Sequence, residues 1–331
     1  MTRQRPMQIR SWAERTPSKT AVVYGDTRVS YGELETLANR FADLFRTLGL
    51  QRGEHIASLL RNRPEALAVA WAAYRTGLYL TPLPTTLAVR EATYLLENSD
   101  ARLLIADASL SDLASQLPAL AAHPTSWFSL GGDIRSFERL EPLLAAASPA
   151  PCNVEPPGAL MLYTSGTTGA PKGVWRPLAP PDFKGTPPFA ADLLSLFDLA
   201  GPEVNYLSTA PLYHSAPLRF ALAVTAGGGT VFLMEKFDAT LALDLLERDG
   251  ITHSQWVPTM FQRLLALPQA RRAAFKASAA SSTSPVFRPS PTTTIRPRPP
   301  PRRARKTGRR LATSATWTQR GTCISPIART T

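Results

Sequence analysis

Apolar positions alternate between strand-like runs and helical spacing along most of the chain. Residues 21–24 form a short apolar run, and Gly25 with Asp26 after it predicts a strand and its turn. Ser30, with Glu33 three residues later, predicts a capping box that opens a helix. The apolar positions of that helix recur every three or four residues and end at a glycine typical of a helix C-terminus: Leu34, Leu37, Ala38, Phe41, Leu44, Phe45, Leu48 and then Gly49.

The same alternation continues through the chain and predicts the fold class. Short apolar runs predict strands at residues 55–60, 79–83, 103–106 and 230–234. Helical spacing predicts helices at residues 64–76, 90–98 and 241–248, the first beginning at Pro64 and the last capped by Asp238. Strands separated by helices of this length favour a mostly parallel sheet covered by helices on both faces. The sequence therefore predicts an α/β protein.

Charge changes this picture only at the C-terminal end. The chain has 331 residues and a net charge of +12, but residues 271–331 hold 14 of the 37 basic residues and no acidic residue. The first 270 residues are therefore close to neutral, with 23 basic and 25 acidic residues. A high overall pI thus says nothing about the partner of the main body.

Residues 276–331 form a basic tail rich in Pro, Arg, Ser and Thr, with no helical or strand period. Three interpretations remain open: an Arg-rich arm that binds nucleic acid or an acidic surface, a solvated linker, or a change of reading frame near Phe275. We favour the change of frame because the composition shifts inside what should be a continuing domain. We predict no firm nucleic-acid partner, since few aromatic residues accompany the arginines.

Cysteine content and hydropathy suggest a compartment. Cys152 and Cys323 are far apart, which excludes a disulfide framework or a four-cysteine zinc site and suits a reducing cytoplasm. No run approaches the roughly 20 apolar residues of a membrane span, and no apolar segment follows the first basic residues as in a secretory signal. We therefore expect a cytoplasmic protein with no membrane partner.

The segment at residues 159–174, ALMLYTSGTTGAPKGV, carries the strongest chemical signal. Residues 159–163 read as a buried strand that leads directly into a loop of three glycines, four hydroxyl side chains and Lys172. Glycines let main-chain N–H groups approach an anion, and a lysine adds a point charge suited to polyphosphate. The spacing fits neither a Walker A loop nor a dinucleotide-binding turn. A flexible surface linker is the alternative, but it would not explain the attachment to an apolar strand.

YTSGTTGAPKG resembles the phosphate-binding signature of the acyl-adenylate-forming superfamily, which includes acyl-CoA synthetases, luciferases and peptide-synthetase adenylation domains. Further segments resemble the family in the same order, among them WAERTPSKTAVVYGD, NRPEALAVAWAAYRTG, PLYHSAPLRF and THSQWVPTMFQRLLALP. The resemblance covers residues 8–275, looks most like bacterial fatty-acid or bile-acid CoA ligases, and implies the large N-terminal domain of the luciferase-like fold.

The resemblance implies a reaction and its residues. Such enzymes join a carboxylic acid to AMP, release pyrophosphate, and transfer the acyl group to coenzyme A. ATP with Mg²⁺ and coenzyme A are therefore the expected cofactor and co-substrates. The phosphate-binding positions are Thr164, Ser165, Gly166, Thr167, Thr168, Gly169 and Lys172. A lone histidine is more often structural, but the resemblance makes His214 the residue beside the acid and the α-phosphate. Trp256 and Thr259 fall at the wall of the acyl pocket, where an ordinary strand end and helix start is the alternative.

Two later motifs of the family do not occur after Pro268. These are an aromatic-Gly-x-Thr-Glu segment, whose Glu binds Mg²⁺, and a Thr-Gly-Asp segment, whose Asp binds ribose. The sequence therefore predicts no protein ligand for a metal. We expect a truncated AMP-binding domain over residues 8–275 with impaired ligase activity, and an inactive protein that binds nucleotide or acyl groups is the alternative.

Overall fold

The computed structural model describes residues 8–121, 126–152, 155–164, 171–281, 315–317 and 323–324. The helices are α1 Ile9–Arg15, α2 Tyr31–Thr47, α3 Pro64–Arg75, α4 Val89–Asn98, α5 Ser111–Ala114, α6 Leu140–Ala146, α7 Pro188–Leu196, α8 Ser215–Gly227, α9 Ala239–Arg248, α10 Pro258–Leu265 and α11 Gln269–Ser281. The strands are β1 Thr20–Tyr24, β2 Thr27–Ser30, β3 His55–Leu59, β4 Tyr79–Pro82, β5 Ala101–Asp107, β6 Ser126–Leu130, β7 Glu138–Arg139, β8 Ala159–Leu160, β9 Leu162–Thr164, β10 Lys172–Val174, β11 Asn205–Ser208, β12 Thr230–Leu233, β13 His253–Trp256, β14 Ala315–Trp317 and β15 Cys323–Ile324.

These elements belong to two compact units. The first comprises the described residues up to Val204 together with Ala210–Lys236. It holds a six-stranded sheet in the order β7-β6-β5-β3-β4-β8, in which all neighbouring strands are parallel. It also holds β12 parallel to β1 and β1 antiparallel to β2. The predicted α/β class with mostly parallel strands is confirmed.

The second unit comprises Asn205–Thr209 and the described residues from Phe237 onward. β11 runs parallel to β13, and β13 runs antiparallel to β14, which in turn pairs antiparallel with β15. α9 begins at the predicted cap, where the Asp238 carboxylate accepts a hydrogen bond from the Leu241 N–H. No helix in the described part of the chain is both long and apolar enough to cross a membrane.

Local signals in the sequence set several element boundaries. The Ser30 hydroxyl and the Glu33 carboxylate form the predicted reciprocal capping box at the start of α2. Gly49 and Gly77 both follow helix ends with positive φ, as expected for glycines that terminate helices. The apolar side of α4, including Leu95 and Leu96, packs into a buried cluster with β3 and β5.

The predicted strand at residues 159–163 is wrong as a single element. β8 pairs with β4 in the six-stranded sheet, whereas β9 pairs with β10, so the hydrogen-bonding partner changes at Met161. Five consecutive apolar or aromatic residues look like one buried strand, but a change of partner leaves no mark on such a run. The break lets the chain leave the sheet immediately before the predicted phosphate loop.

Although residues 276–331 show no helical or strand period, the residues described there include regular structure. α11 continues to Ser281, across the expected boundary at residue 275, and β14 and β15 are short strands. Residues 269–281 are rich in Ala, Arg and Lys, whose intrinsic helix propensity is high without an apolar stripe. The rest of the predicted tail lies outside the described residues.

A largely buried ion network ties four parts of the first unit together. Arg75, at the end of α3, is only 4% exposed and binds both carboxylate oxygens of Glu35 at 2.9 and 2.8 Å. Arg10 also binds Glu35, at 3.3 Å, and pairs with Glu155. Arg75 Nε lies 3.8 Å from the same Glu155 carboxylate. The network therefore joins α1, α2 and α3 to the segment that leads into β8.

That segment lies against the backbone at the end of α3. The Gly158 N–H donates to the Tyr74 carbonyl at 2.5 Å, and the Ala159 N–H donates to the Leu78 carbonyl at 3.0 Å. A Cβ on Gly158 would overlap the carbonyl oxygens of Ala73 and Leu78. Backbone atoms cannot rotate away as a side chain can, so glycine is required for this close approach.

We expect Gly158→Ala to lower the free energy of unfolding by about 3 kcal/mol or more, at the upper end of overpacking costs, because the added methyl group would meet backbone oxygens that cannot move aside. Gly25→Ala is the comparator: Gly25 has a φ of +57° with nothing within 4 Å of a built Cβ. Backbone strain alone should there cost about 1–2 kcal/mol. Urea unfolding of both variants measures the difference, and equal losses would contradict a clash at Gly158.

The network also predicts a dependence of stability on pH. Burial raises the pKa of Glu35, but Arg75 and Arg10 lower it by more, so the pKa lies below its ordinary value. Its contribution to stability is therefore complete above the unfolded-state pKa of about 4.3 and is lost as the pH falls through the lower folded-state pKa.

Chemical unfolding between pH 7 and pH 3 should show a smaller acid-induced loss in Glu35→Gln than in the unsubstituted chain. Glu138→Gln, at an exposed carboxyl group, should keep the slope of the unsubstituted chain. Parallel slopes for all three proteins would exclude Glu35 as a source of the acid sensitivity.

Candidate active site

Two short antiparallel strands flank the predicted phosphate loop. In this hairpin of β9 and β10, Lys172 lies opposite Thr164 and Gly173 lies opposite Tyr163. The structure therefore brings Thr164 and Lys172 together, at the points where the loop leaves β9 and enters β10. The five other predicted phosphate-binding residues lie outside the described residues: Ser165, Gly166, Thr167, Thr168 and Gly169.

The second arm of the hairpin combines an exposed charge with a tightly packed glycine. Lys172 is exposed, so its ammonium group is accessible to a ligand. A Cβ on Gly173 would overlap the methyl group of Met161 and lie 3.3 Å from the Tyr163 ring. The absence of a side chain at Gly173 lets β10 lie flat against the residues that precede the loop.

α4 contacts both arms of the hairpin through polar groups. The Tyr163 hydroxyl donates to Asn98 Oδ1 at 2.7 Å. The Tyr94 hydroxyl donates to the Pro171 carbonyl at 3.2 Å. Burial, with a smaller contribution from Tyr94, raises the pKa of Tyr163 to about 12, so this phenol remains a donor at neutral pH.

β4 fixes the chain just after β10. The Tyr79 hydroxyl donates to the Arg176 carbonyl at 2.9 Å. Its ring lies between two others, with the His55 ring stacked at 4.6 Å and the Trp175 ring edge-on at 5.4 Å between centroids. The chain is thus held by hydrogen bonds at Tyr163 before the loop, at Pro171 after the loop, and at Arg176 after β10.

His214 is the N-cap residue of α8, with extended backbone and no side-chain capping bond. The residue is exposed, and its ring lies 4.5 Å from that of Tyr213. Partial burial of the imidazole lowers the pKa of His214 below its ordinary value. At neutral pH the ring is therefore mainly uncharged and offers one N–H donor and one acceptor.

Asn62 holds the loop before His214, and sequence reasoning missed this role. Its side-chain amide donates to the carbonyls of Ala210 and Met234 at 3.1 and 2.7 Å, and its Oδ1 accepts from the Leu212 N–H at 2.7 Å. Asn62 is 4% exposed. The signal in the sequence was an asparagine just before a predicted helix that begins with proline, but this position does not reveal which backbone groups the asparagine binds.

Trp256 and Thr259, the residues predicted for the acyl pocket, lie in the second unit. Trp256 ends β13 and is 4% exposed, with the rings of Phe237 and Phe261 each 5.9 Å away. Thr259 is exposed in the first turn of α10. In the same strand His253 is buried, and its Nδ1 lies 2.7 Å from the Thr252 hydroxyl, as expected for a histidine that bonds locally.

The acidic side chains of the described residues do not fit a resident metal. No group of three or more His, Cys, Asp or Glu side chains in these ranges converges at one point. Mg²⁺ prefers carboxylates and phosphate oxygens arranged as an octahedron. We therefore assign no step to a metal held by these side chains.

A sequence profile identifies the family. The profile described as "AMP-binding enzyme" matches residues 9–288. The chain is 30% identical over 266 residues to the 2-succinylbenzoate–CoA ligase of Bacillus licheniformis, covering 79% of this chain and 51% of that protein. It is 32% identical over 262 residues to a feruloyl-CoA synthase of Amycolatopsis, covering 79% and 50%. The chain thus spans about half the length of these curated relatives.

A solved structure shows the same fold. The N-terminal domain of FACL13 from Mycobacterium tuberculosis superposes with a TM-score of 0.66 at 24% identity, over 79% of this chain and 64% of that one. The predicted luciferase-like fold of the large N-terminal domain is thereby confirmed.

We expect Asn62→Ala to lower the free energy of unfolding by about 1–3 kcal/mol, because it leaves buried backbone groups without a partner. The Leu212 amide should also exchange its hydrogen faster. Arg61→Ala is the matched control, since Arg61 is exposed and its contact with Ser109, at 2.8 Å, lies at the surface. Its effect should stay within about 0.5 kcal/mol. An Asn62→Ala protein as stable as the control would show that the Asn62 hydrogen bonds do not hold the loop before His214.

Proposed function

Because the chain belongs to the AMP-binding enzyme family, we propose that it carries the ATP-binding site of an AMP-forming ligase acting on a carboxylic acid. A carboxylate oxygen attacks the α-phosphorus of ATP, the bond to the β-phosphate oxygen breaks, and pyrophosphate leaves. The thiol of coenzyme A then attacks the acyl carbon, and AMP leaves. The observation that carries this proposal is the hairpin that joins Thr164 to Lys172 at the end of the parallel sheet.

The hairpin and its loop bind the β- and γ-phosphates and then the departing pyrophosphate. Lys172 supplies a positive charge, Thr164 a hydroxyl group, and the residues 165–169 between them hydroxyls and glycine N–H groups. Main-chain donors fixed before the reaction lower its barrier without reorganising as charge moves. The anchoring of both arms by α4 and of the exit by β4 supports this role.

His214 acts beside the α-phosphate and the acid. Both reacting groups are anionic, so their approach needs a donor that reduces repulsion between them. A neutral imidazole donates one N–H to the oxygen on which charge accumulates, and the lowered pKa of His214 favours that neutral form. Asn62 serves this role indirectly by holding the loop that carries His214.

The acid itself is proposed as an organic carboxylic acid with an apolar body. Trp256 and the exposed Thr259 are the proposed acyl-pocket residues. The similar proteins act, by their names, on 2-succinylbenzoate and ferulate, whereas the sequence signatures look most like fatty-acid or bile-acid ligases. Aromatic and aliphatic acids are therefore the classes to test. We place the protein in the cytoplasm, where ATP and coenzyme A are available.

Equilibrium binding of ATP and acid-dependent exchange of labelled pyrophosphate into ATP test the proposal. We expect the chain to bind ATP, and Lys172→Ala to raise the Kd about 10–150-fold, the equivalent of a charge-assisted contact of roughly 1.5–3 kcal/mol. Lys184→Ala is the matched control, since Lys184 lines a separate polar cavity with Arg10 and Glu155.

The binding and exchange results together distinguish a ligase from a protein that only binds nucleotide. ATP binding with acid-dependent exchange supports the ligase, and we expect the exchange to be slow. ATP binding that depends on Lys172, without exchange for any aromatic or aliphatic acid, would replace the ligase with a nucleotide-binding function. Equal Kd values for Lys172→Ala and Lys184→Ala would exclude the hairpin as the phosphate site.

A further inference from the structure

One face of α4 presents two polar side chains to the phosphate hairpin. Tyr94 and Asn98 are four residues apart, so they lie one above the other on the same side of the helix. Tyr94 contacts the chain at Pro171, where the loop returns, and Asn98 contacts Tyr163, where the loop leaves. One helix turn therefore reaches both ends of the loop.

The hydrogen bond from Tyr94 to the Pro171 carbonyl also orients the backbone N–H of Lys172. The Pro171 C=O and the Lys172 N–H belong to one planar peptide group. A hydrogen bond from Tyr94 to that oxygen therefore also sets the direction of the Lys172 N–H and the start of β10. Pro171 has no N–H of its own, so its carbonyl is the one main-chain group it can offer for such an anchor.

The contact at Tyr163 works in the same way on the other arm. Tyr163 directly precedes Thr164, and its hydroxyl is held 2.7 Å from Asn98 Oδ1. Because the pKa of Tyr163 is raised to about 12, the phenol stays protonated and keeps donating throughout the physiological range. The position of the first hydroxyl residue of the loop thus depends on a neutral hydrogen bond to α4.

The scaffold behind these two side chains is rigid. Leu95 and Leu96, which lie between them in sequence, are 1% and 4% exposed and pack into the buried cluster of the six-stranded sheet. Tyr94 and Tyr163 also pack against that cluster. Hydrogen bonds that place the backbone at Lys172 before a ligand arrives reduce the entropy that is lost on binding.

We propose that Tyr94 and Asn98 are positioning residues for triphosphate recognition: through Pro171 and Tyr163 they hold the two strands of the hairpin so that Lys172 is presented to the β- and γ-phosphates. This inference rests on the proposed function of the hairpin. It adds that α4, which carries no part of the phosphate-binding motif, sets the affinity for the β- and γ-phosphates and has no effect on the nucleoside and α-phosphate.

The discriminating measurement compares ATP with AMP. Titration calorimetry gives the Kd of each nucleotide for the full chain and for Tyr94→Phe, Asn98→Ala and the double variant. Tyr94→Phe removes only a hydroxyl group and keeps the ring in the cluster. We expect each single variant to raise the Kd of ATP about 3–10-fold, in line with the loss of one neutral hydrogen bond, and to change the Kd of AMP by less than twofold.

Tyr74→Phe is the matched control because Tyr74 is a buried tyrosine whose ring packs between Trp71 and Phe189, and it lines a separate polar cavity. It should leave both Kd values unchanged. Hydrogen exchange gives a readout that does not depend on nucleotide: the amides of Lys172, Gly173 and Val174 should exchange faster in Tyr94→Phe without ligand.

The outcomes separate this inference from the proposed function. If the unsubstituted chain binds ATP no more tightly than AMP, the proposed role of the hairpin fails. If that chain prefers ATP but the α4 variants raise the Kd values of ATP and AMP by the same factor, Tyr94 and Asn98 have only a general structural role and the inference is overturned. If the variants bind both nucleotides like the control and exchange is unchanged, the inference is overturned while the hairpin's role stands.

Discussion

The close approach of Gly158 to the end of α3 is the constraint on which the candidate site depends. Within a few residues the chain pairs Glu155 with the half-buried Arg10, passes Gly158 against two carbonyl oxygens, and joins the parallel sheet as β8. It then changes partner at Met161 and starts the hairpin. Because backbone hydrogen bonds set the steps from Gly158 to Met161, an error at Gly158 would shift the start of the hairpin.

The stability of this arrangement depends on buried polar and charged groups that have hydrogen-bonding partners. A buried guanidinium such as that of Arg75 is tolerable only when carboxylates compensate its charge, and Glu35 does so through two hydrogen bonds. The same requirement applies to the neutral groups near the site: the buried Asn62 amide satisfies two backbone groups of the loop before His214 and the Met234 carbonyl at the end of β12. Lys172 and His214, which are proposed to touch the phosphates and the acid, are exposed, whereas Trp256 in the proposed acyl pocket is buried.

Much of the fold could be predicted from the sequence because its signals are local. The capping box of Ser30 and Glu33, the cap at Asp238 and the helix-ending Gly49 each act within a few residues and appear in the structure as predicted. The motif around Lys172 likewise identified the family. The change of partner at Met161 could not be predicted, since an apolar run does not reveal which strand its residues pair with.

The anchors of the site were also beyond sequence reasoning, for a physical reason. Tyr94 and Pro171 are 77 positions apart, and Asn62 and Leu212 are 150 apart, so nothing in local spacing links them. Their roles depend on hydrogen bonds that exist only after the sheet has formed. Residues that hold a site are therefore found from the fold, whereas residues that touch the ligand were proposed from a motif.

A structure of this chain with a non-hydrolysable ATP analogue tests the central claim most directly. We expect the β- and γ-phosphate oxygens to lie within about 2.7–3.2 Å of donors in the segment between Thr164 and Lys172, including the Lys172 ammonium group. An analogue bound with its phosphates elsewhere, or a hairpin that stays empty at saturating nucleotide, would contradict the account.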